Sequence, residues 1–274
     1  GQLHHSFTCS ERLQKHLRCL YRHGSLFLTR NNTLLYHAAV PLNDDGTFRE
    51  VVVDGASYSG RALMEKLDRV IRDAYFAEEG TPVRDYALDY MWYLWCGPDS
   101  PLYHKDKMTT FERYFVADTE LYKEKKGAYF ELCDTEETCD VILKEFGLNP
   151  SVSRIVNGHI PVRTTNGESP LRANGKRLVI DGGFSKPYHE TTGIAGYTLI
   201  YNSHGLQLVQ HEAFESKEKA VLDGTDIHSR MQLVEFKTHR MLVRDTDRGK
   251  ELAEQVDNLQ RLLVAYRNGL IKEN

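Results

Sequence analysis

A chain of 274 residues, 41% hydrophobic and 27% charged, has the length to bury a sizeable core and a near-average globular composition, which excludes disordered and fibrous classes. A formal net charge of −4, without an obvious basic face, argues against nucleic acid as the principal partner. No apolar run approaches the roughly 20 residues that a membrane helix needs.

The chain opens at Gly1 without a methionine and runs almost at once into helical spacing, which suggests a segment of something longer. Ser10 is a plausible N-cap for a helix over 10–22 carrying Leu13, Leu17 and Leu20 on one face. Residues 26–37 alternate as two short strands around Arg30-Asn31-Asn32, the second pointing into His37. Asn43 to Gly46 reads as a loop and Glu50 to Val53 as a brief strand. Leu63, Leu67, Val70, Ile71 and Ala74 predict an amphipathic helix over 59–78. Pro82 opens the next, which carries Tyr86, Tyr90, Trp92, Tyr93 and Trp95 and stops at Cys96-Gly97-Pro98. Another helix spans 136–146 and ends at Gly147.

The second half is rich in strand signals, at 154–156, 177–180, 196–201, 206–211 and 232–236. A closing helix over 247–267 carries an apolar stripe of Leu252, Val256, Leu259, Leu262 and Leu263, with Asp245 or Asp247 as its expected cap. The pattern is α/β or α+β, with helices packed on a mixed sheet. Cys9, Cys19, Cys96, Cys133 and Cys139 are odd in number and contain no CxxC pair, as expected for reduced thiols in a cytoplasmic protein.

Several common chemistries lack their motif. Residues 55–60, GASYSG, approach the serine-hydrolase GxSxG but place the second glycine one position late. Gly175-Lys176 lacks both the Ser/Thr and the first glycine of a P-loop. Neither a dinucleotide fingerprint nor HExxH occurs.

Two histidines sit in matching frames. His37 ends LLYHAAVP and His159 lies in IVNGHIPV, each after a short apolar strand and shortly before a proline. A strand end holds a side chain rigidly while facing a cleft, and imidazole suits Mn, Fe or Zn. Gly158 is read as letting the backbone approach an ion. On the residues alone, a structural role and a metal-ligand role both remain open.

The Asn-Gly-His-x-Pro turn resembles the GHxP motif of the calcineurin-like metallophosphoesterases, and LLYHAAVP resembles the earlier "HGG" histidine of that superfamily. The runs CGPDSPLYHKDKMTTFERYF, RLVIDGGFSKPYHETTGIAGYTLIYNSHGLQLVQHEAFESKEKA and KELAEQVDNLQRLLVAYRNGL resemble the bacterial class III fructose-1,6-bisphosphatases. The likeness covers essentially the whole chain. It implies an α/β fold, the C-terminal part of a metallophosphoesterase-type αββα sandwich. Residues 1–57 would carry His37, 58–150 a helical insertion, 151–245 a strand-rich continuation and 246–274 the last helix.

The resemblance also implies His37 and His159 as ligands of one ion in a binuclear Mn2+ site. There, two metals activate a hydroxide that converts fructose 1,6-bisphosphate to fructose 6-phosphate and phosphate in gluconeogenesis. The superfamily's DxH, GDxxD and GNH[DE] motifs do not occur here. The expected partner is therefore the N-terminal part of the same protein, without which the chain should be inactive. Phosphoenolpyruvate is an implied effector, with no binding residues assigned.

Arg113 is a candidate clamp for a substrate phosphate, or a surface ion pair with Glu112 or Asp118. Lys186 lies in a glycine-rich stretch with Gly182, Gly183, Gly193 and Gly196 that reads as a phosphate nest or a plain hairpin loop. Asp181 either orients a metal-ligating histidine or is a turn residue. The alternative function is a non-catalytic regulatory or interaction module without metal chemistry.

Overall fold

The amphipathic start folds as two helices, Gln2–Cys9 (α1) and Glu11–His23 (α2). Ser10 caps the second, its hydroxyl accepting from the Leu13 N–H, while the first lies outside the segment whose spacing predicts a helix. The computed structural model describes residues 1–183, 185, 188–194, 196–212, 216–223 and 229–271. It is α/β and divides into two units: residues 1–162 with 167–181, and residues 163–166 with 182–274.

In the first unit, Phe27–Arg30 (β1) and Thr33–Tyr36 (β2) pair antiparallel. Asn31 and Asn32 turn the chain at φ of 47° and 62°, a left-handed pair that asparagine tolerates. Val51–Val53 (β3) and Ala56–Tyr58 (β4) form a second hairpin.

Ser59 begins Gly60–Phe76 (α3), whose 3–4 spacing buries Leu63, Met64, Leu67, Val70 and Ala74. Pro82–Cys96 (α4) starts on a Thr81 cap with proline in its first turn, where a missing N–H costs nothing. Short turns Glu112–Phe115 (α5) and Tyr129–Leu132 (α6) lead to Glu136–Glu145 (α7), capped by Thr135.

Arg154–Asn157 (β5), Leu171–Arg172 (β6) and Arg177–Val179 (β7) complete a five-stranded sheet of order β1-β2-β5-β7-β6. Its centre, β2-β5-β7, is parallel. Leu34, Ile155 and Leu178 from those strands, with Leu63, Leu67, Leu94, Ile142 and Leu143 from the helices, are fully buried, each worth about 1.5–3 kcal/mol. Tyr36 and Tyr129 lie buried within the unit, hydroxyls 2.6 Å apart. Beside them Arg177, its side chain 6% exposed, pairs with Asp134 at 2.6 Å.

The second unit holds the short helices His189–Thr192 (α8) and Lys217–Asp223 (α9). Gly196–Asn202 (β8), Gly205–His211 (β9) and Ser229–Phe236 (β10) form an antiparallel meander. Asp247–Arg267 (α10) is capped by Thr246, whose hydroxyl accepts from Gly249 N–H, rather than by either aspartate. Asp245 instead accepts from Leu242 N–H in the preceding turn. Leu252, Val256, Leu259, Leu262 and Leu263 form the expected stripe but lie exposed.

Candidate functional site

Three adjacent parallel strands run in one direction, so their carboxyl ends open on one edge of the sheet. His37 follows β2 directly, His159 lies two residues beyond β5 and Asp181 two beyond β7. The crevice outside the carboxyl ends of parallel strands is where open α/β sheets hold ligands.

His37 Nε2 and His159 Nδ1 face each other at 3.1 Å, rings 5.0 Å apart and edge-to-face. His159 takes the left-handed φ of 70°, while Gly158 before it does not. A Cβ at Gly158 would meet the Asp181 side chain no closer than 3.4 Å, so no protein group here requires the glycine, and its expected role beside an ion rests on the metal reading. The strained position is the histidine itself, turned so that its ring meets His37.

Burial lowers the pKa of His37, and the Asp181 charge opposes the shift. Burial also brings His159 down to about 4, reinforced by His37 and Lys105 and opposed by Asp181 and Glu124. Both imidazoles are neutral near pH 7, and their 3.1 Å contact is a hydrogen bond in which one ring nitrogen donates and the other accepts.

Aromatic side chains fix the pair from one side. The ring of Tyr103 meets His159 edge-on at 5.8 Å and Phe130 stacks on it at 6.5 Å. Tyr103 is locked in turn by donating to Lys107 O at 2.9 Å. A cavity of about 510 Å³ opens against both histidines, walled largely by Met91, Leu94, Trp95, Leu102 and Met108. Sequence reasoning takes the aromatic helix for core or interface. Here Trp95 lines the cavity and Trp92, on the same helix, stands exposed.

A divalent ion held here would take the place of the hydrogen bond between the histidines, with the two ring nitrogens as its donors. The donor set thus fits a borderline divalent cation in part. Among the described residues, however, no group of three or more His, Cys, Asp or Glu side chains is placed to hold one. Asp181 lies against Gly158 and acts on both imidazoles through its charge.

Arg113 does not line this cavity. Its guanidinium stands 5.8 Å over the Tyr122 ring and donates to Thr109 Oγ1 at 3.3 Å and Tyr122 O at 3.4 Å. Lys186 lies outside the described residues. Asn157, which sequence reasoning passes over, donates from Nδ2 to Ala38 O at 2.9 Å and to Tyr129 Oη at 3.1 Å. Its place directly before the glycine and histidine is the signal that would have singled it out.

A family model described as Firmicute fructose-1,6-bisphosphatase matches residues 1–268. A curated relative from Bacteroides thetaiotaomicron, named Fructose-1,6-bisphosphatase class 3, is 57% identical over 272 residues, covering 99% of this chain and 41% of that protein. Relatives of the same name from Phocaeicola vulgatus and Alkaliphilus metalliredigens are 56% and 55% identical, covering 100% and 99% of this chain and again 41% of theirs. The chain therefore spans about two fifths of the length of these relatives. No solved structure was found to match it.

Proposed function

The chain belongs to the Firmicute fructose-1,6-bisphosphatase family, and on that footing we propose that it carries part of the catalytic site of a phosphatase acting on fructose 1,6-bisphosphate. The products are fructose 6-phosphate and phosphate, and the proposed compartment is the cytoplasm. The observation that supports this most is the meeting of His37 and His159 at the ends of β2 and β5, both neutral and 3.1 Å apart. We assign them as ligands of one Mn2+ ion in a metallophosphoesterase-type site. A divalent ion held there would supply Lewis-acid stabilisation to a phosphoryl group.

The chain's own residues do the rest. The neutral imidazoles offer lone pairs without proton release near pH 7. Asp181 orients the pair and favours positive charge beside it. Tyr103, Phe130 and the apolar cavity wall keep the rings in one rotamer and limit water on that side. Lys105 lies close enough for its charge to act on His159, and it would reach a phosphate oxygen only by leaving Glu124. Arg113 would reach a second phosphate only by leaving Tyr122, and Lys186 keeps its proposed phosphate role as a basic side chain in the glycine-rich stretch.

Two imidazoles alone hold a divalent ion weakly, since Mn2+ prefers oxygen donors. These 274 residues by themselves are therefore proposed to be inactive, the remaining ligands coming from residues outside them. The test is phosphate release from fructose 1,6-bisphosphate with Mn2+, by the chain alone and by the chain mixed with the complementary N-terminal part of a relative. Activity only in the mixture, abolished by His159→Ala, is the expected result. Robust turnover by the chain alone would overturn the ligand assignment.

A further inference from the structure

We propose that Asn157 is the positioning residue of the histidine pair, a side-chain clamp that joins the two loops carrying His37 and His159. Two successive residues after β2 are bonded to two at the end of β5, and the last residue of β2 joins them through Tyr129. Gly158 N–H donates to His37 O at 2.8 Å. Asn157 Nδ2 donates to Ala38 O at 2.9 Å and to Tyr129 Oη at 3.1 Å. The Tyr129 hydroxyl lies 2.6 Å from that of Tyr36, the residue before His37.

The backbone link through Gly158 is open to any non-proline residue. The side-chain link is specific to the chemistry of asparagine. Two acceptors, a carbonyl and a phenol, face one position, and a primary amide supplies two N–H donors from a short, stiff stem. Asn157 is 3% exposed and Ala38 is fully buried, so losing the amide leaves a carbonyl that water does not reach. An orphaned buried carbonyl drives local rearrangement, and the rearranging segment is the one next to His37. Asn157 touches neither ring, so its action passes through the loops.

Because this rests on the histidine pair being the proposed site, two readouts separate the two readings. Full chain carrying 13C-labelled histidine is compared with Asn157→Ala and with the isosteric Asn157→Asp, which keeps the shape and removes both donors. The first readout is the ring-to-ring nuclear Overhauser effect between His37 and His159, which needs no metal. The second is selective broadening of these two ring signals by Mn2+. The native chain is expected to show both effects. The variants are expected to lose the ring contact and to need about tenfold more Mn2+ for half-broadening, while most other histidine signals stay in place.

A lowered melting temperature with the ring contact and Mn2+ response intact would mean a merely structural role and would overturn the proposal. If Asn157→Ala does not fold, Asn157→Asp decides the outcome by the same criterion. A native chain that shows the ring contact but ignores Mn2+ would refute the metal reading alone, leaving the clamp to stand or fall on the ring contact in the variants.

Discussion

Glu124 tests how firmly the wall beside the site is held. Its Oε2 accepts from the Lys105 ammonium at 2.9 Å, and its Oε1 from Thr109 N–H and Oγ1–H at 3.0 and 2.9 Å. Burial alone would raise the carboxyl pKa. Lys105 and the two Thr109 donors outweigh it and pull the value from 4.5 to about 2. Since the folded value lies below the unfolded one, the contribution is complete above about pH 5 and is lost as pH falls toward 2. A fall from 4.5 to about 2 is worth about 3.4 kcal/mol at roughly 1.36 kcal/mol per tenfold. Side-chain exposures of 23% for Lys105 and 19% for Glu124 admit some solvent screening, which leaves about 2 kcal/mol.

Glu124→Gln keeps the shape and removes the charge. Urea unfolding followed by tryptophan fluorescence should show the variant about 2 kcal/mol less stable at pH 7, with less than half that gap at pH 3. An equal gap at both pH values would assign the effect to packing. A gap under about 0.5 kcal/mol at pH 7 would mean that the ion pair is merely a surface one.

Four further substitutions probe other contacts. Gly127→Ala places a Cβ onto the ring of His104, which is 3% exposed and held through Nδ1 donating to Pro98 O. It should cost about 2 kcal/mol in chemical denaturation, and a neutral result would mean that the ring moves freely. Asp134→Ala strands the buried Arg177 guanidinium and should cost about 3 kcal/mol, whereas Arg177→Met leaves Asp134, 43% exposed, to water and should cost less. The reverse order in thermal melts would refute that asymmetry. Gly158→Ala meets nothing closer than ordinary contact, so both stability and Mn2+ response should stay within about 1 kcal/mol of native, and a large loss would show that Gly158 does need its freedom.

Long periodic segments were legible in the sequence because one physical signal dominates each. The α3 stripe, the proline at the start of α4 and the β5 and β7 runs fall within a residue or two of expectation. The pairing of β3 with β4 was overlooked although Asp54-Gly55, with φ of 53° and 76°, is a strong hairpin signal between two short runs. The cap of α10 went to Thr246 because threonine, one position between the two aspartates, has the hydroxyl in reach of Gly249.

Within the site, the two histidines and Asp181 were visible as strand ends, but the convergence of His37 and His159 was implied only by the family resemblance. It depends on β2, β5 and β7 being parallel neighbours, a fact of topology rather than of any local pattern. Asn157 was marked only by its place before Gly158 and His159, and the roles of Tyr103 and Phe130 were hidden, since each acts on a partner far away in sequence.

That distance carries a consequence for how the protein acquires its site. His37 and His159 are separated by 122 positions, and closing so long a loop in a flexible chain costs about 4 kcal/mol of entropy. Local hairpins and helices of the intervening stretch can form first and shorten the effective loop, so the imidazoles should meet late in folding. A nascent chain that has exposed only His37 therefore has no paired nitrogen to offer a metal. Under the proposed metal role, capture of the wrong cation during synthesis would be disfavoured by the order of assembly, before any selectivity of the finished site comes into play.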